Sequence, residues 1–291
     1  MISRGWPAPA KLNLFLHIVG RRTDGYHELQ TVFQLLDFGD SLDFEVTQGG
    51  VLRRVTGAAD VPPETDLALR AASLLQRVTG TKRGADIHLH KRIPAAGGLG
   101  GGSSDAATVL VALNYLWGLE LSVAALAALG RELGADVPVF VHGRSAWAEG
   151  TGERLTPLEL PERWFAVVRP GVAVGTASVF QAPELTRNSP IITIADFLVA
   201  GGWNDCTPVV VSRHPEVGQA IARLARHGPA QMTGTGSCVF VSCAERLQAE
   251  RALFGLPAGW QGFVARGVNR SPLAVRLEAA LAAAEAASQD A

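Results

Sequence analysis

The chain has 291 residues, with 26 Lys and Arg against 27 Asp and Glu, a formal charge of −1 and an isoelectric point near 6.7. At 47% hydrophobic and 18% charged residues it is too apolar for a disordered chain, and its 32 glycines follow no G-X-Y period, which excludes a collagen-like one. No basic run exceeds Arg53-Arg54 or Lys82-Arg83, so there is no electrostatic footprint for nucleic acid, and the length suits about two domains.

No apolar core precedes the first charges, and the longest uncharged apolar run, 106–119, is too short to span a bilayer, so a cytoplasmic location is expected. Cys206, Cys238 and Cys243 match neither a C-x-x-C pair nor a zinc ligand set; free buried thiols are the expectation.

In chain order, β-branched and aromatic residues predict strands over 12–19 and 29–38 around the turn-rich segment 21–25, then over 41–47 and 51–55. Leu67, Ala71, Leu74, Leu75 and Val78 recur at helical spacing behind a Thr/Asp start, which predicts a helix over 65–78 stopped by Gly80. A strand over 85–90 follows, then a glycine-rich loop, a helix over 106–117 and a second over 122–133 capped by Ser122. Beyond Pro157 the pattern restarts with a strand over 164–169 and helices over 215–226, 244–253 and 272–283. A domain boundary is expected near Pro157, giving 1–157 and 158–278, with 279–291 a helix continuing into a frayed tail.

Five of the glycines lie in Gly97-Gly98-Leu99-Gly100-Gly101-Gly102, followed at once by Ser103-Ser104-Asp105 and an apolar helix. Small residues let backbone N–H groups converge on phosphate oxygens, and a helix N-terminus adds unpaired donors and a favourable dipole. A flexible linker would share the composition but not the capped, buried continuation. No Gly-Lys dipeptide occurs and G-x-G-x-x-G fails in every register, so this is neither a Walker nor a Rossmann loop.

Lys11 and Asn13 fall on one face of the first strand, an unusual placement unless that face lines a site. Asp136 stands between a helix end and an apolar segment, as either a cap residue or a proton acceptor. A buried Lys beside a buried Asp suits proton transfer from an alcohol, and with a phosphate loop it describes a kinase. Met232-Thr-Gly234-Thr-Gly236-Ser-Cys238 reads as a tight loop entering a strand, either closing over phosphate or merely turning the chain. His88 and His90 share one side of a strand without a metal-ligand pattern, and His27-Glu28 lacks the second His of a zincin; no metal ligand is assigned to them.

With these residues in hand, the sequence resembles the GHMP small-molecule kinases. The resemblance rests on the segments 94–107, 9–16, 24–29, 134–140, 148–153 and 232–238 and on Asn204-Asp205, in family order over nearly the whole chain. It implies an α+β fold of two domains, an N-terminal mixed sheet with helices and a C-terminal ferredoxin-like α/β sandwich, with the active site in the cleft between them. It further implies transfer of the ATP γ-phosphate to the 2-hydroxyl of 4-(cytidine 5'-diphospho)-2-C-methyl-D-erythritol, on the non-mevalonate route to isoprenoid precursors. Asp136 would take the hydroxyl proton with Lys11 beside it, while Pro94, Ala95, Ala96, Gly97, Gly98, Leu99, Gly100, Gly101, Gly102, Ser103 and Ser104 hold the nucleotide. Asn13, Tyr26, His27, Phe33, Thr176 and Phe180 match the cytidine-substrate positions.

Mg²⁺ is expected with ATP, its ligands mostly phosphate and water, with Ser104 the protein candidate. The implied partner is this small molecule, with neither nucleic acid nor membrane, in a monomer or homodimer. The rival readings are a GHMP kinase for homoserine or mevalonate and a non-catalytic nucleotide-binding protein of the same fold. The sequence departs from the family pattern at Asp66, where relatives often carry Asn, at Ala96 in place of Gly, and at Gly175 in place of Pro.

Overall fold

The apolar run that predicts the first strand extends in both directions in the computed structural model, which describes residues 1–57 and 61–289. Strand β1 (Ile2–Arg21) pairs antiparallel with β2 (His27–Thr47) across the predicted turn. The two strands expected over 29–38 and 41–47 are this single β2. The chain runs straight through Gly39, where a Cβ would lie 2.3 Å from the Ala8 carbonyl oxygen, so only glycine lets β1 and β2 approach this closely.

The chain continues with β3 (Leu52–Thr56), α1 (Leu67–Thr79), β4 (Gly84–His90), α2 (Gly101–Leu116), α3 (Val123–Leu133) and α4 (Val137–His142). Strands β5 (Ala146–Glu149), β6 (Arg154–Pro157) and β7 (Trp164–Arg169) precede α5 (Thr176–Phe180), α6 (Ile194–Ala200), α7 (Thr207–Arg213) and α8 (Pro215–Leu224). The chain ends with β8 (Ala230–Met232), β9 (Val239–Cys243), α9 (Arg246–Ala252), β10 (Gln261–Val268) and α10 (Pro272–Gln289). The last two residues of the expected tail lie outside the described residues.

Helix α1 begins and ends where its sequence signals stand: Asp66 accepts from the Ala68 and Leu69 N–H groups, and Gly80 closes the helix in the left-handed region. Ser122 caps α3 through the Ala125 N–H. Helix α2 starts five residues before its expected beginning, inside the glycine loop. Its cap is Gly100 with no side-chain bond, so Ser103 and Ser104 fall in its first turn, with Asp105 just after, instead of capping it.

Strands β3-β4-β2-β10-β7-β9-β8 form one continuous sheet, with β1 and β5 also on β2 and β6 on β5. The β3/β4 pair is parallel and the other strand pairs are antiparallel, a mixed sheet. One core packs α1, α2, α3, α4 and α10 on the β1/β2/β4 half, around Trp6, Phe44, Leu110, Phe140 and Leu273. A second packs α7, α8 and α9 on β7, β8 and β9, around Val168, Val210, Leu224 and Val241. A third, with Leu12, Ile93, Leu99, Val167, Cys238 and Phe240, lies beneath the glycine loop where the halves meet. All three cysteines are free and buried. No helix among the described residues is long and apolar enough to cross a membrane.

The second edge of β1 carries no full strand, which is why Pro7 and Pro9 fit within it. Its backbone donors are taken instead by loops from distant parts of the chain. Lys11 N donates to Leu99 O, Asn13 N to Thr233 Oγ1, Leu16 N to Trp203 O and Ile18 N to Asp205 Oδ2. This edge is the seam on which the site is assembled.

Candidate active site

Lys11 is nearly fully buried, and its ammonium donates to Asn13 Oδ1 at 2.5 Å while lying 3.3 Å from Asp136 Oδ2. Phe33, opposite Asn13 in the β1/β2 register, puts its ring 5.4 Å beneath the same ammonium. Asp136 occupies the N-cap position of α4 but makes no capping hydrogen bond. Its carboxylate lies instead beside Lys11, on the wall of a cavity.

The cavity has a volume of about 960 Å³ and is lined by Lys11, Asn13, Phe33, Asp136, Thr176, Phe180 and every residue from Pro94 to Ser103. The first backbone bond of α2 runs from Ser104 N to Gly100 O, so the N–H groups of Gly101, Gly102 and Ser103 have no acceptor within the helix. Three donors without a partner among the described residues, at a helix N-terminus and beside a buried ammonium, are suited to cradling an anion. At Gly100 the loop has no room for a side chain: a Cβ there would lie 2.8 Å from the Phe140 ring and 3.2 Å from the Lys11 stem. Ala96, the residue standing in place of glycine, has a φ of 52°, a left-handed conformation that strains an L-residue by about 1 kcal/mol.

Ser104 lies beneath this wall rather than in it. It is fully buried, and its Oγ has no hydrogen-bond partner among the described residues. Tyr26 also stands outside the cavity lining, exposed in the turn after β1, where its N–H donates to Asp24. His27 sits behind Phe180, stacked on it at 5.2 Å, and its Nε2 accepts from Arg187 Nε. Burial and the nearby Arg187 and Arg21 lower the His27 pKa, so the ring is neutral. Thr176 opens α5, and its Oγ1 meets Thr235 Oγ1 at 3.0 Å, joining α5 to the second glycine loop.

Three lining residues, Lys91, Arg169 and Gln261, carry no sequence signal of their own. Lys91, at the end of β4, bonds to Asp40 at 2.5 Å and Asp105 at 2.7 Å; burial beside Asp40 pushes the Asp105 carboxyl up to about 7 against the pull of Lys91. Arg169 and Gln261 are cross-strand partners at the ends of β7 and β10, and both reach the cavity beside the loop. Each is a single polar residue at a strand end, indistinguishable in sequence from a solvated one. Asp66 also reaches the wall, but both its oxygens are engaged, Oδ1 by the α1 cap and Oδ2 by Arg54. It has no donor to offer a base there.

The model of the GHMP kinases N terminal domain matches residues 66–144, and that of the GHMP kinases C terminal matches 184–261. A relative from Alkalilimnicola ehrlichii named 4-diphosphocytidyl-2-C-methyl-D-erythritol kinase is 60% identical over 275 residues, 94% of each chain. The chain belongs to the GHMP kinases. Another kinase of that name, from Halorhodospira halophila, is 56% identical over 94% of this chain and 96% of its own. Among solved structures, a 4-(cytidine 5'-diphospho)-2C-methyl-D-erythritol kinase superposes with a TM-score of 0.79 at 38% identity, over 92% of this GHMP kinase and 100% of that chain. The mevalonate kinase of Methanococcus jannaschii, at 16% identity and a TM-score of 0.67 over 92% and 98% of the two chains, shares the fold. The two-domain GHMP kinase fold, with its mixed sheet, is the one expected from the sequence.

Proposed function

We propose that this GHMP kinase transfers the γ-phosphoryl group of ATP to the 2-hydroxyl of 4-(cytidine 5'-diphospho)-2-C-methyl-D-erythritol, in the cytoplasm, on the non-mevalonate route to isoprenoid precursors. Relatives at 53–60% identity over nearly the full chain carry the corresponding kinase name, and the chain is an ATP-dependent small-molecule kinase. The observation that carries the residue roles is the Lys11/Asp136 pair, 3.3 Å apart, facing the same cavity as the glycine loop. We divide the chain near Pro157, with the phosphate loop on one side and Thr176, Phe180 and the 232–238 loop on the other.

The free N–H groups of Gly101, Gly102 and Ser103 receive phosphate oxygens, so an anionic ligand is held mainly by backbone. Asp136 accepts the substrate hydroxyl proton as the new O–P bond forms and the bond to ADP breaks. Lys11, 3.3 Å from that carboxylate, offsets charge developing on the oxygen; Asn13 fixes the direction of its ammonium. Phe33 and Phe180 supply aromatic faces for the cytosine end, with His27 stacked behind Phe180.

The donors present suit Mg²⁺ held largely by phosphate and water. No group of three His, Cys, Asp or Glu side chains is disposed for a metal among the described residues, while Ser104 Oγ is an orphaned buried oxygen below the loop. When bound, the ion would neutralise phosphate charge.

The Asp136→Ala variant, assayed for ADP release beside the parent with the cytidine substrate, homoserine and mevalonate, tests this reading. The parent is expected to turn over the cytidine substrate alone. The variant is expected to lose at least about 10²-fold in kcat while its ADP affinity, measured by calorimetry, stays within about threefold. Near-normal turnover in the variant would sink the role of Asp136, and parent turnover of another alcohol would sink the substrate.

A further inference from the structure

The Asn204-Asp205 pair, part of the family resemblance but without a part in the chemistry above, sits in the loop after α6 and is buried. Residue 204 forms a parallel bridge with Leu16 of β1; Leu16 N donates to Trp203 O, and Asp205 N donates back to Leu16 O at 2.9 Å. Asp205 then accepts from Ile18 N, Ser189 Oγ and Trp203 Nε1. The dipeptide is thus fastened by both backbone and side chain to the strand that carries Lys11 and Asn13.

From that anchored position the Asn204 carboxamide reaches across to the second glycine loop. Its Nδ2 donates to both Met232 O and Gly234 O at 2.8 Å, while its Oδ1 accepts from Cys206 N at 2.9 Å. Both carbonyls that flank Thr233 are thereby held toward Asn204, and Thr233 Oγ1 between them accepts from Asn13 N at 2.8 Å. Asn13 Oδ1 in turn receives the Lys11 ammonium, which faces Asp136. Gly234 also packs against the first loop: a Cβ there would lie 3.1 Å from Gly98 O and 3.4 Å from Asn13 Oδ1.

We propose that Asn204 is a positioning residue for phosphoryl transfer: by holding the Met232 and Gly234 carbonyls it fixes Thr233 against Asn13, and so sets the Lys11 ammonium relative to Asp136 and the glycine loop. Asparagine is suited to this because two N–H bonds on a single nitrogen bridge two carbonyls while the oxygen satisfies a third group. Without the clamp, the Gly234 carbonyl is free to turn into the cavity, where its negative end opposes the transferring phosphoryl group. The anchor on the α2 N-terminus does not involve Asn204, so nucleotide affinity is not expected to follow.

The inference rests on the proposed alcohol kinase reading and is tested by steady-state kinetics of the full chain with ATP and the cytidine substrate. Asn204→Ala is expected to lower kcat at least tenfold with the KM for ATP within about threefold. Asn204→Asp keeps the Oδ1 acceptor but turns an oxygen on the two carbonyls. Its carboxyl regains one donor when protonated, so its kcat relative to the parent is expected to rise as pH falls from 8 to 6. Both are measured on protein whose folded fraction is verified by circular dichroism at each pH. Folded variants with kcat within twofold of the parent, or a fall in kcat matched by an equal rise in the KM for ATP with no relative gain at low pH, would overturn the role. If Asn204→Ala does not fold, Asn204→Asp alone decides. Absence of turnover in the parent would instead refute the underlying reading.

Discussion

His17 follows Leu16 on β1, close to the seam, and its environment makes a pH dependence that can be worked out from one residue. Its side chain is fully buried between the Trp203 ring, 4.0 Å away, and Phe15, and neither ring nitrogen has a hydrogen-bond partner among the described residues. Burial lowers its pKa from the ordinary 6.5, outweighing the opposing pull of Asp205 and the Pro190 carbonyl. The fold therefore prefers the neutral ring, and the unfolded chain takes up the proton first as pH falls. The contribution to stability is intact above pH 6.5 and is lost as pH falls below it, by about 1.4 kcal/mol for each unit by which the fold lowers the pKa. Urea unfolding at pH 8.0 and 5.5 is expected to show a lower midpoint at pH 5.5. In His17→Phe that pH-induced drop should be smaller, and an unchanged drop would exclude His17 as a source. Residue by residue, the sequence speaks clearly where chemistry and pattern coincide: Lys11 is a charge on an apolar strand, and Gly97–Gly102 run into a helix. It is silent on Lys91, Arg169 and Gln261, because a lone polar residue at a strand end has the same composition whether it meets solvent or a cavity.

Between elements, the decisive contact is the zipper of the two glycine loops. Ser237 N donates to Ala96 O and Cys238 N to Gly97 O, drawing the β8–β9 turn onto the loop between β4 and α2. Gly98 has a φ of 74°, and a Cβ there would lie 2.3 Å from the Thr233 carbonyl oxygen, which belongs to backbone and cannot swing aside. Gly98→Ala is therefore expected to cost about 2 kcal/mol or more of stability and at least tenfold in kcat/KM. Gly118→Ala is the control: its φ of 66° carries the same strain, but nothing lies within 4 Å, so a loss of about 1 kcal/mol with unchanged kcat/KM is expected. Chemical denaturation and kinetics of the two variants check the difference, and equal losses would deny the zipper a role. Elements with local signals, such as α1 with Asp66 and Gly80 or α3 with Ser122, are legible in sequence because cap and periodicity lie within the segment. The short β5, β6, α4 and α7 are not, since four to seven residues cannot establish a period and their conformation comes from what they pack on.

On the scale of the whole molecule, the chain's end returns to its beginning. Helix α10 follows the second core in sequence but packs on the first: Leu273 and Ala280 are buried there, Leu277 is half-buried, and Ala280 O accepts from the Tyr115 hydroxyl of α2 at 3.0 Å. Arg276 places its guanidinium 4.7 Å from the Trp6 ring of β1. Strand β10, just before it, links the halves by pairing with β7 along its length and with β2 at Leu35 and Leu36. A composition rich in Ala and Glu makes this end read as a fraying helix; residues 281–288 are helical and exposed, while the turns before them carry buried positions. Periodicity alone does not say which core a helix will cover, and here the answer depends on β10 having already carried the chain back. Two truncations separate the parts. A chain ending at Ala280 is expected to melt within about 2 °C of the parent, since residues 281–288 are exposed. A chain ending at Ser271 loses the Arg276 cover on Trp6 and the Tyr115 bond and forfeits the buried Leu273 and Ala280, and its midpoint is expected to fall by about 10 °C or more. Differential scanning calorimetry of the two proteins checks this; similar midpoints for both truncations would mean that the first core is closed without α10.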